Sequence, residues 1–309
     1  MALHPLVGHD AVRTSIVRAH AAGALPSSIL LHGARGVGKQ HLAQWIARLT
    51  VCEAPEEGGP CDRCGPCRMA LSLEHPDIHW YFPLPRPKGV SRDRLADALE
   101  RARHEALAEI RADSLRPSWS DEVRAIYLGA ITGLRSAASK RPSMAEGPVF
   151  IVGQAELLVP QEASQEAANA LLKLLEEPPG SARFILTSSE PGLLLPTIRS
   201  RTVPLHVPSL PLDDVCALVE EGKGVEPRVA EWAARLSQGS PGRALAFLPD
   251  DSETDDWKRL GPLEKMRRRA YEIVVAAMAP TPVAGFEVAS SFPPAGARSL
   301  LELFAFVEE

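Results

Sequence analysis

The sequence predicts an α/β domain built on a parallel sheet, followed by a helical lid and a further helical region. Three observations carry this. Ile29 to Leu31, Val149 to Val152 and Phe184 to Leu186 are short continuous apolar runs beside turn residues, the pattern of strands covered on both faces. Helical periodicity separates them: Leu42, Trp45, Ile46 and Leu49 share one face, as do Ala167, Ala170, Leu171, Leu174 and Leu175. From Leu212 to Leu248 the pattern is helical with no strand signal. Strands alternating with helices point to a parallel sheet.

Taken in order, the first strand runs into a glycine-rich loop, and the helix containing Trp45 follows. A Pro-rich stretch (Pro83, Pro85, Pro87) then opens a segment, residues 83–120, that breaks the alternation. Within it a charged helix is expected from Arg92 to Ala112, with Leu95, Leu99, Ala102, Ala106 and Ile110 on one side. Its arginines, Arg92, Arg94, Arg101, Arg103 and Arg111, alternate with Asp and Glu, which reads as a solvated face rather than a nucleic-acid patch. The whole segment is expected to be an insertion packed on the surface. The helix around Ala170 should start at Ser164 as N-cap and stop before Pro178-Pro179. The sheet domain is expected over 1–207, ending near Pro204, Pro208 and Pro211, and the lid over 208–249. An acidic linker (Asp250, Asp251, Glu253, Asp255, Asp256) leads to a helical region over 257–309, with Ser299 to Val307 as an example.

At 309 residues the chain should hold two or three domains. A net charge of −5 gives it no global basic footprint, so proteins rather than phosphates are the expected first contacts. The opening MALHPLVGHD lacks a signal-peptide pattern, and no apolar run approaches the ~20 residues of a membrane span. A cytoplasmic location is expected, and with it no disulfide framework.

Gly33-Ala34-Arg35-Gly36-Val37-Gly38-Lys39-Gln40 is GxxxxGK between a strand and a helix, the context in which such a loop cradles phosphates. Gly33, Gly36 and Gly38 let backbone N–H groups point inward, the helix N-terminus adds partial positive charge, and Lys39 reaches toward terminal phosphates. Position 40 departs from the motif. A Ser or Thr there would coordinate Mg²⁺, whereas Gln40 is a poor ligand. The strand Val149 to Val152 runs into Gly153-Gln154, where a hydrolysing P-loop enzyme carries acidic residues for the metal and the attacking water. Glu156 is expected to point elsewhere. Nucleotide binding is compatible with this loop; intrinsic hydrolysis is not expected.

Cys52, Cys61, Cys64 and Cys67 form C-x8-C-x2-C-x2-C directly after the loop's helix. Two-residue spacers let neighbouring thiolates share one tetrahedral ion, and Gly58-Gly59-Pro60 and Gly65-Pro66 permit the turns. Structural Zn²⁺ is the expected cofactor, with four thiolates leaving no open catalytic position. Cys216 falls in the expected lid as a core thiol.

The order of these features resembles the AAA+ clamp-loader family of bacterial DNA polymerase III, whose members insert a four-Cys zinc module after the phosphate loop. Glu74-His75-Pro76-Asp77 and the run from Ala167 to Pro179 (AANALLKLLEEPP) look like family motifs, as do Leu6-Val7-Gly8-His9 and Gly239-Ser240-Pro241-Gly242-Arg243-Ala244-Leu245. The similarity covers roughly residues 4 to 248. It implies an AAA+ fold in which Val7 contacts adenine, Thr187 stands at the sensor-1 position, and Arg243 or Gly242 falls near sensor 2. Ile198-Arg199-Ser200-Arg201-Thr202 is similar to the family's Ser-Arg-Cys arginine finger, with Thr202 in place of Cys; Arg201 is the implied finger and Arg199 its rival. Degenerate acidic motifs place the chain with δ′-type members rather than γ/τ motors. That implies a hetero-pentamer with γ/τ and δ subunits in the polymerase III holoenzyme, with the sliding clamp and primed DNA as indirect partners. The family's C-terminal collar is usually longer than the segment after the acidic linker, so a reduced or partial collar is expected.

Three other readings stand beside this one: an active clamp-loader motor with unconventional metal ligands, a P-loop nucleoside-phosphate kinase with a zinc-stapled lid, and a zinc-finger DNA binder. The kinase reading needs a hydroxyl after Lys39. The DNA-binding reading is opposed by Glu53, Glu56, Glu57 and Asp62 on the zinc module.

Overall fold

The computed structural model describes residues 3–91, 94–116, 123–158, 165–250, 254–278 and the helical positions Leu303 and Phe306. Among the described residues, seven strands fall in two sheets. Five are parallel: β1 (Ser28–His32), β2 (Ile78–Tyr81), β5 (Val149–Val152), β6 (Arg183–Ser188) and β7 (Val203–His206), in the order β2-β5-β6-β1-β7. Two short ones, β3 (Leu84–Pro85) and β4 (Arg124–Ala125), pair antiparallel.

The three apolar runs of the sequence are the three central strands, in register: Ile29 lies opposite Ile185, and Ile151 also lies opposite Ile185 from the other side. Alternate side chains go to opposite faces. Leu30, Phe150, Val152, Phe184 and Leu186 face α5 (Leu128–Ala138) and α6 (Glu166–Glu176). Ile29, Leu31, Ile151 and Ile185 face α2 (Lys39–Val51), whose Leu42, Trp45, Ile46 and Leu49 are all buried. The edge strands β2 and β7, together with α1 (Asp10–Ala21), α3 (Gly65–Leu71) and α5, complete the domain. The expected N-cap Ser164 lies outside the described residues; Gln165 precedes the first helical turn.

The inserted helix α4 spans Leu95–Ala112. Arg103 corrects the reading of its charged residues as a solvated face. It is 8% exposed, ion-paired to Glu100, and its guanidinium lies 4.9 Å over the Tyr81 ring. The helix turns this side inward because Leu99, Arg103 and Leu107 follow one another at four-residue spacing, and a buried guanidinium is tolerable only when paired. The insertion also reaches beyond the sheet domain's surface, since Leu115 joins the core of the lid.

That lid comprises α8 (Leu212–Lys223), α9 (Pro227–Leu236) and α10 (Pro241–Phe247). Its core includes Val215, Val219, Ala233 and Phe247, with Cys216 packed at the margin. The short helices α7 (Pro196–Arg199) and α11 (Asp256–Arg259) and the longer α12 (Pro262–Ala277) are the remaining named α-helices; of the helix expected from Ser299 to Val307, all but Leu303 and Phe306 lies outside the described residues. Asp255, from the acidic run, caps α11 by accepting from the Trp257 and Lys258 N–H groups. Among the described residues no helix is long and apolar enough to cross a membrane.

Candidate functional site

All five parallel strands end on the same side, and the carboxyl ends of β1, β5 and β6 bring three loops together: the glycine-rich loop, Gly153-Gln154 and Thr187–Ser189. Crevices at carboxyl ends are where such sheets take ligands. A cavity of about 210 Å³ lies here. Its walls include Val7, Gly36, Gly38, Lys39, Gln40 and Thr187, with Leu210, Gly242 and Leu245 contributed from the lid side.

The loop glycines are needed for their backbone. Gly36 and Gly38 have φ of +85° and +102°, and a Cβ on Gly33 would stand 2.2 Å from the Val207 carbonyl oxygen. His9 accepts a left-handed φ of 59° and places Nε2 2.9 Å from the Val37 carbonyl, so the N-terminal segment is bonded to the loop itself. Burial holds the His9 imidazole below its ordinary pKa, which keeps it neutral and able to donate from Nε2.

The Lys39 ammonium donates to the Gly33 and Ala34 carbonyls at 2.9 and 2.7 Å and to Ser189 Oγ at 3.0 Å. Burial lowers its pKa to about 8, against the opposing pull of Glu156. Glu156 is not among the cavity's lining residues and bonds to Ser189, which is. It is 3% exposed, and its Oε1 accepts from the Ser189 N–H at 3.2 Å, one residue from the Lys39 side chain. Gln154, with a φ of 52°, breaks the strand direction and precedes the 3-10 turn over Ala155–Leu158 that carries Glu156. Ser189, which the sequence reading did not single out, is the link between Lys39 and Glu156.

Gln40 and Gly153 meet. A Cβ on Gly153 would stand 3.2 Å from the carbon, nitrogen and oxygen of the Gln40 amide. The absent acidic side chain and the oversized amide therefore share one space. Thr187, 1% exposed at the end of β6, accepts from the Gln154 N–H at 3.0 Å. Arg243 lies in the first turn of the helix over Pro241–Phe247, where its backbone N–H donates to the Ser240 carbonyl at 2.9 Å and its guanidinium lies 5.7 Å over the Phe306 ring.

Arg201 does not line this cavity. It follows α7 on the surface, where its guanidinium pairs with Glu176 at 2.8 Å and donates to the Thr197 carbonyl at 3.2 Å. Arg199 is also exposed, while the neighbouring Thr202 is buried and bonded to the Ile198 and Arg199 carbonyls.

The four cysteine sulfurs lie within 4.8 Å of one another. Four thiolates at about 2.3 Å from one tetrahedral ion stand roughly 3.8 Å apart, so small movements close the set. Backbone groups aim at the sulfurs, among them Cys61 N–H at Cys52 Sγ (3.3 Å) and Cys64 N–H at Cys61 Sγ (3.4 Å). The Arg63 and Cys64 N–H groups hold the Cys61 thiol well below its ordinary pKa, whereas burial raises Cys52 and Cys67. A divalent cation would bind by displacing those protons. Geometry and donors together are compatible with zinc. The module is anchored to α2: Arg48 pairs with Asp62 at 2.6 Å, and Gly59 lies flat on Trp45, with room for no Cβ.

A family model described as DNA polymerase III, delta subunit, matches residues 8–211. The Pseudomonas aeruginosa protein named DNA polymerase III subunit delta′ is 33% identical over 221 residues, covering 71% of this chain and 50% of that one. The Escherichia coli subunit tau is 26% identical over 247 residues, covering 78% of this chain and 32% of the relative. The chain thus spans about half the length or less of these relatives. Among solved structures, a Thermotoga maritima RuvB variant aligns over 97% of this chain and 87% of its own, with a TM-score of 0.50 at 14% identity, a likeness of fold alone. The match runs from the N-terminal segment bonded to the phosphate loop, through the cysteine module and β6, to the residues after Arg201; the chain belongs to the delta-prime clamp-loader family of DNA polymerase III.

Proposed function

We propose that the chain acts as a δ′-type subunit of a clamp loader, one that supports ATP-driven opening and loading of a sliding clamp on primed DNA without hydrolysing ATP itself. The observation that carries this is the contact between Gln40 and Gly153. Where a motor subunit needs a hydroxyl and a carboxylate around Mg²⁺, this chain packs an amide against a glycine at 3.2 Å from its would-be Cβ. Its partners would be γ/τ-type motor subunits and a δ subunit. The sheet domain over 1–207 and the lid over 208–249 would form one AAA+ unit, with residues 257–309 contributing to a collar. The zinc module would be a structural clamp on α2, and Lys39 with the loop amides could hold ATP or ADP.

Arg201 is the residue we assign to catalysis in trans. Its guanidinium is exposed, it is held by the Glu176 carboxylate at 2.8 Å, the Thr197 carbonyl at 3.2 Å and Ser200 Oγ at 3.3 Å, and it does not line this chain's own cavity. Such a group is available to a neighbour. Exposed ion pairs contribute about 1 kcal/mol or less, so Glu176 would release it readily. A second reading, an unconventional motor, is favoured by Glu156, which is buried behind Ser189 and beside Lys39.

One reconstitution separates the two. The chain is assembled with motor and δ subunits, assembly is verified by light scattering, and clamp- and DNA-stimulated ATP turnover is compared for wild type and Arg201→Ala. The expected loss is on the order of 10³-fold in the site it completes, the contribution of an arginine finger. Unchanged turnover with intact assembly removes Arg201 from this role and leaves Arg199 to be tested. Steady ATP turnover by the isolated chain would sink the non-motor reading.

A further inference from the structure

The inserted helix ends where the cavity begins. Just past α4, Asp113 makes a turn in which its Oδ1 accepts from the Leu115 N–H at 3.0 Å and its carbonyl accepts from the Arg116 N–H at 3.2 Å. The turn drives Leu115 into the lid core, where it is 7% exposed beside Leu210, Leu218 and Leu245. Helix α8 is shaped to receive it: a Cβ on Gly222 would stand 2.4 Å from Leu115 Cδ1, so the glycine is a seat for this side chain. The next residue, Lys223, pairs with Asp113 Oδ2 at 2.7 Å. On the opposite side, Ser114 Oγ accepts from the His4 N–H at 3.0 Å, which ties the segment to the N-terminal stretch that carries Val7.

Residues 113–116 therefore join three bodies: the insertion, the N-terminal segment and the lid. They also form a wall of the cavity that holds Lys39 and Val7. Its volume of about 210 Å³ is below the range of about 300–1,000 Å³ typical of small-molecule sites. A nucleotide with its phosphates at Lys39 would enter this same cavity and meet the wall that residues 113–116 form.

We propose that residues 113–116 are a strap that fastens the lid to the phosphate-loop domain through protein contacts alone, and that a nucleoside di- or triphosphate must displace to occupy the cavity. The proposal rests on the nucleotide-site reading given above and adds its regulation. The lid of this subunit is closed by its own insertion, and the strap and the nucleotide compete. A rigid lid and weak nucleotide binding then have one cause.

The test uses the full chain, fluorescently labelled ADP and ADP itself as competitor, with Leu115→Ala and Gly222→Ala. The second variant acts from the lid side, by pushing on the unaltered leucine, and it stands if Leu115→Ala fails to fold by circular dichroism. A ligand's affinity falls by the fraction of molecules competent to bind, so a strap closed nine-tenths of the time weakens binding about tenfold. Both variants should bind ADP about that much more tightly and show faster amide exchange in α8. Faster exchange with unchanged or weaker ADP binding overturns the proposal, because the strap then holds the lid without competing. Unchanged exchange and affinity overturn it too, since Leu115 then fastens nothing. No ADP binding by wild type or either variant overturns it from the other side, because the cavity is then no nucleotide site, and the Arg201 experiment is unaffected.

Discussion

The Gly242 backbone N–H donates to the Gly36 carbonyl at 2.8 Å, joining the first turn of lid helix α10 to the middle of the phosphate loop. The two glycines pass back to back. A Cβ on Gly242 would stand 3.0 Å from Gly36 Cα, and one on Gly36 would stand 2.9 Å from the Arg243 nitrogen. Both contacts are backbone, which cannot move aside as a side chain does. Gly242→Ala should destabilise the protein by about 1–3 kcal/mol, the usual cost of forcing atoms into a packed contact. Gly36→Ala should cost more, because its φ of +85° adds strain. Urea denaturation of the three proteins checks this; equal midpoints would mean that lid and loop separate freely.

Gln40 and Gly153 make a second close pair, and it predicts non-additivity. Gly153→Asp alone places a carboxylate against the Gln40 amide and should destabilise the chain. Adding Gln40→Thr removes the obstruction, so the double variant should be more stable than the sum of the single effects predicts, by about 1–2 kcal/mol as expected for residues in contact. A double-mutant cycle in urea measures this. Strict additivity would place the Gln40 amide elsewhere in solution.

What the sequence makes legible follows from burial on both sides. The three central strands are apolar throughout, so their runs could be read directly. β2 and β7 could not: β2 carries His79, whose ring stacks on Phe150, and β7 is an exposed edge strand containing Pro204. An edge strand needs no continuous apolar run and tolerates proline. The glycine loop and the cysteine set were legible because their chemistry requires fixed spacing. The bond from Glu156 to Ser189 has no sequence signal, because a left-handed residue, Gln154, changes the course of the chain just before it. Leu115 gave no local signal at all. Its meaning depends on Gly222, which is more than a hundred positions away in sequence.

The cysteine module predicts a metal dependence with an optical readout. Trp45 is 3% exposed, and the hairpin formed by the Glu56–Gly59 bridge covers its ring. Purified protein should carry one zinc per chain. A strong chelator, or Cys67→Ser, should release it, shift tryptophan emission to the red and lower Tm by on the order of 5 °C or more, where 1 kcal/mol corresponds to roughly 2–4 °C for domains of 150–250 residues. Metal analysis and a thermal scan with and without chelator check this. An unchanged Tm after complete metal loss would leave the module without a role in holding the fold.

Asp77 predicts a stability change with pH. The carboxylate is 3% exposed at the start of β2 and accepts from the N–H groups of Ser143 (2.7 Å), Met144 (2.7 Å) and Ala145 (2.8 Å), which fixes the loop leading into β5. Burial alone would raise its pKa, but the three donors prevail and hold it below the ordinary value of 3.8. The folded state thus binds this proton less readily than the unfolded one. The stabilisation is fully present above the unfolded pKa and is lost as pH falls through the lower folded value. Asp77→Asn replaces an acceptor by an amide that meets N–H groups, and it should cost about 2–3 kcal/mol at neutral pH, the scale of a hydrogen bond to a charged group. That deficit should be flat above about pH 5 and shrink below pH 4, where the wild-type carboxyl is itself becoming protonated. Urea denaturation of both proteins between pH 3 and 7 measures it, and a deficit that stays constant to pH 3 would mean that the charge on Asp77 contributes nothing to holding the loop.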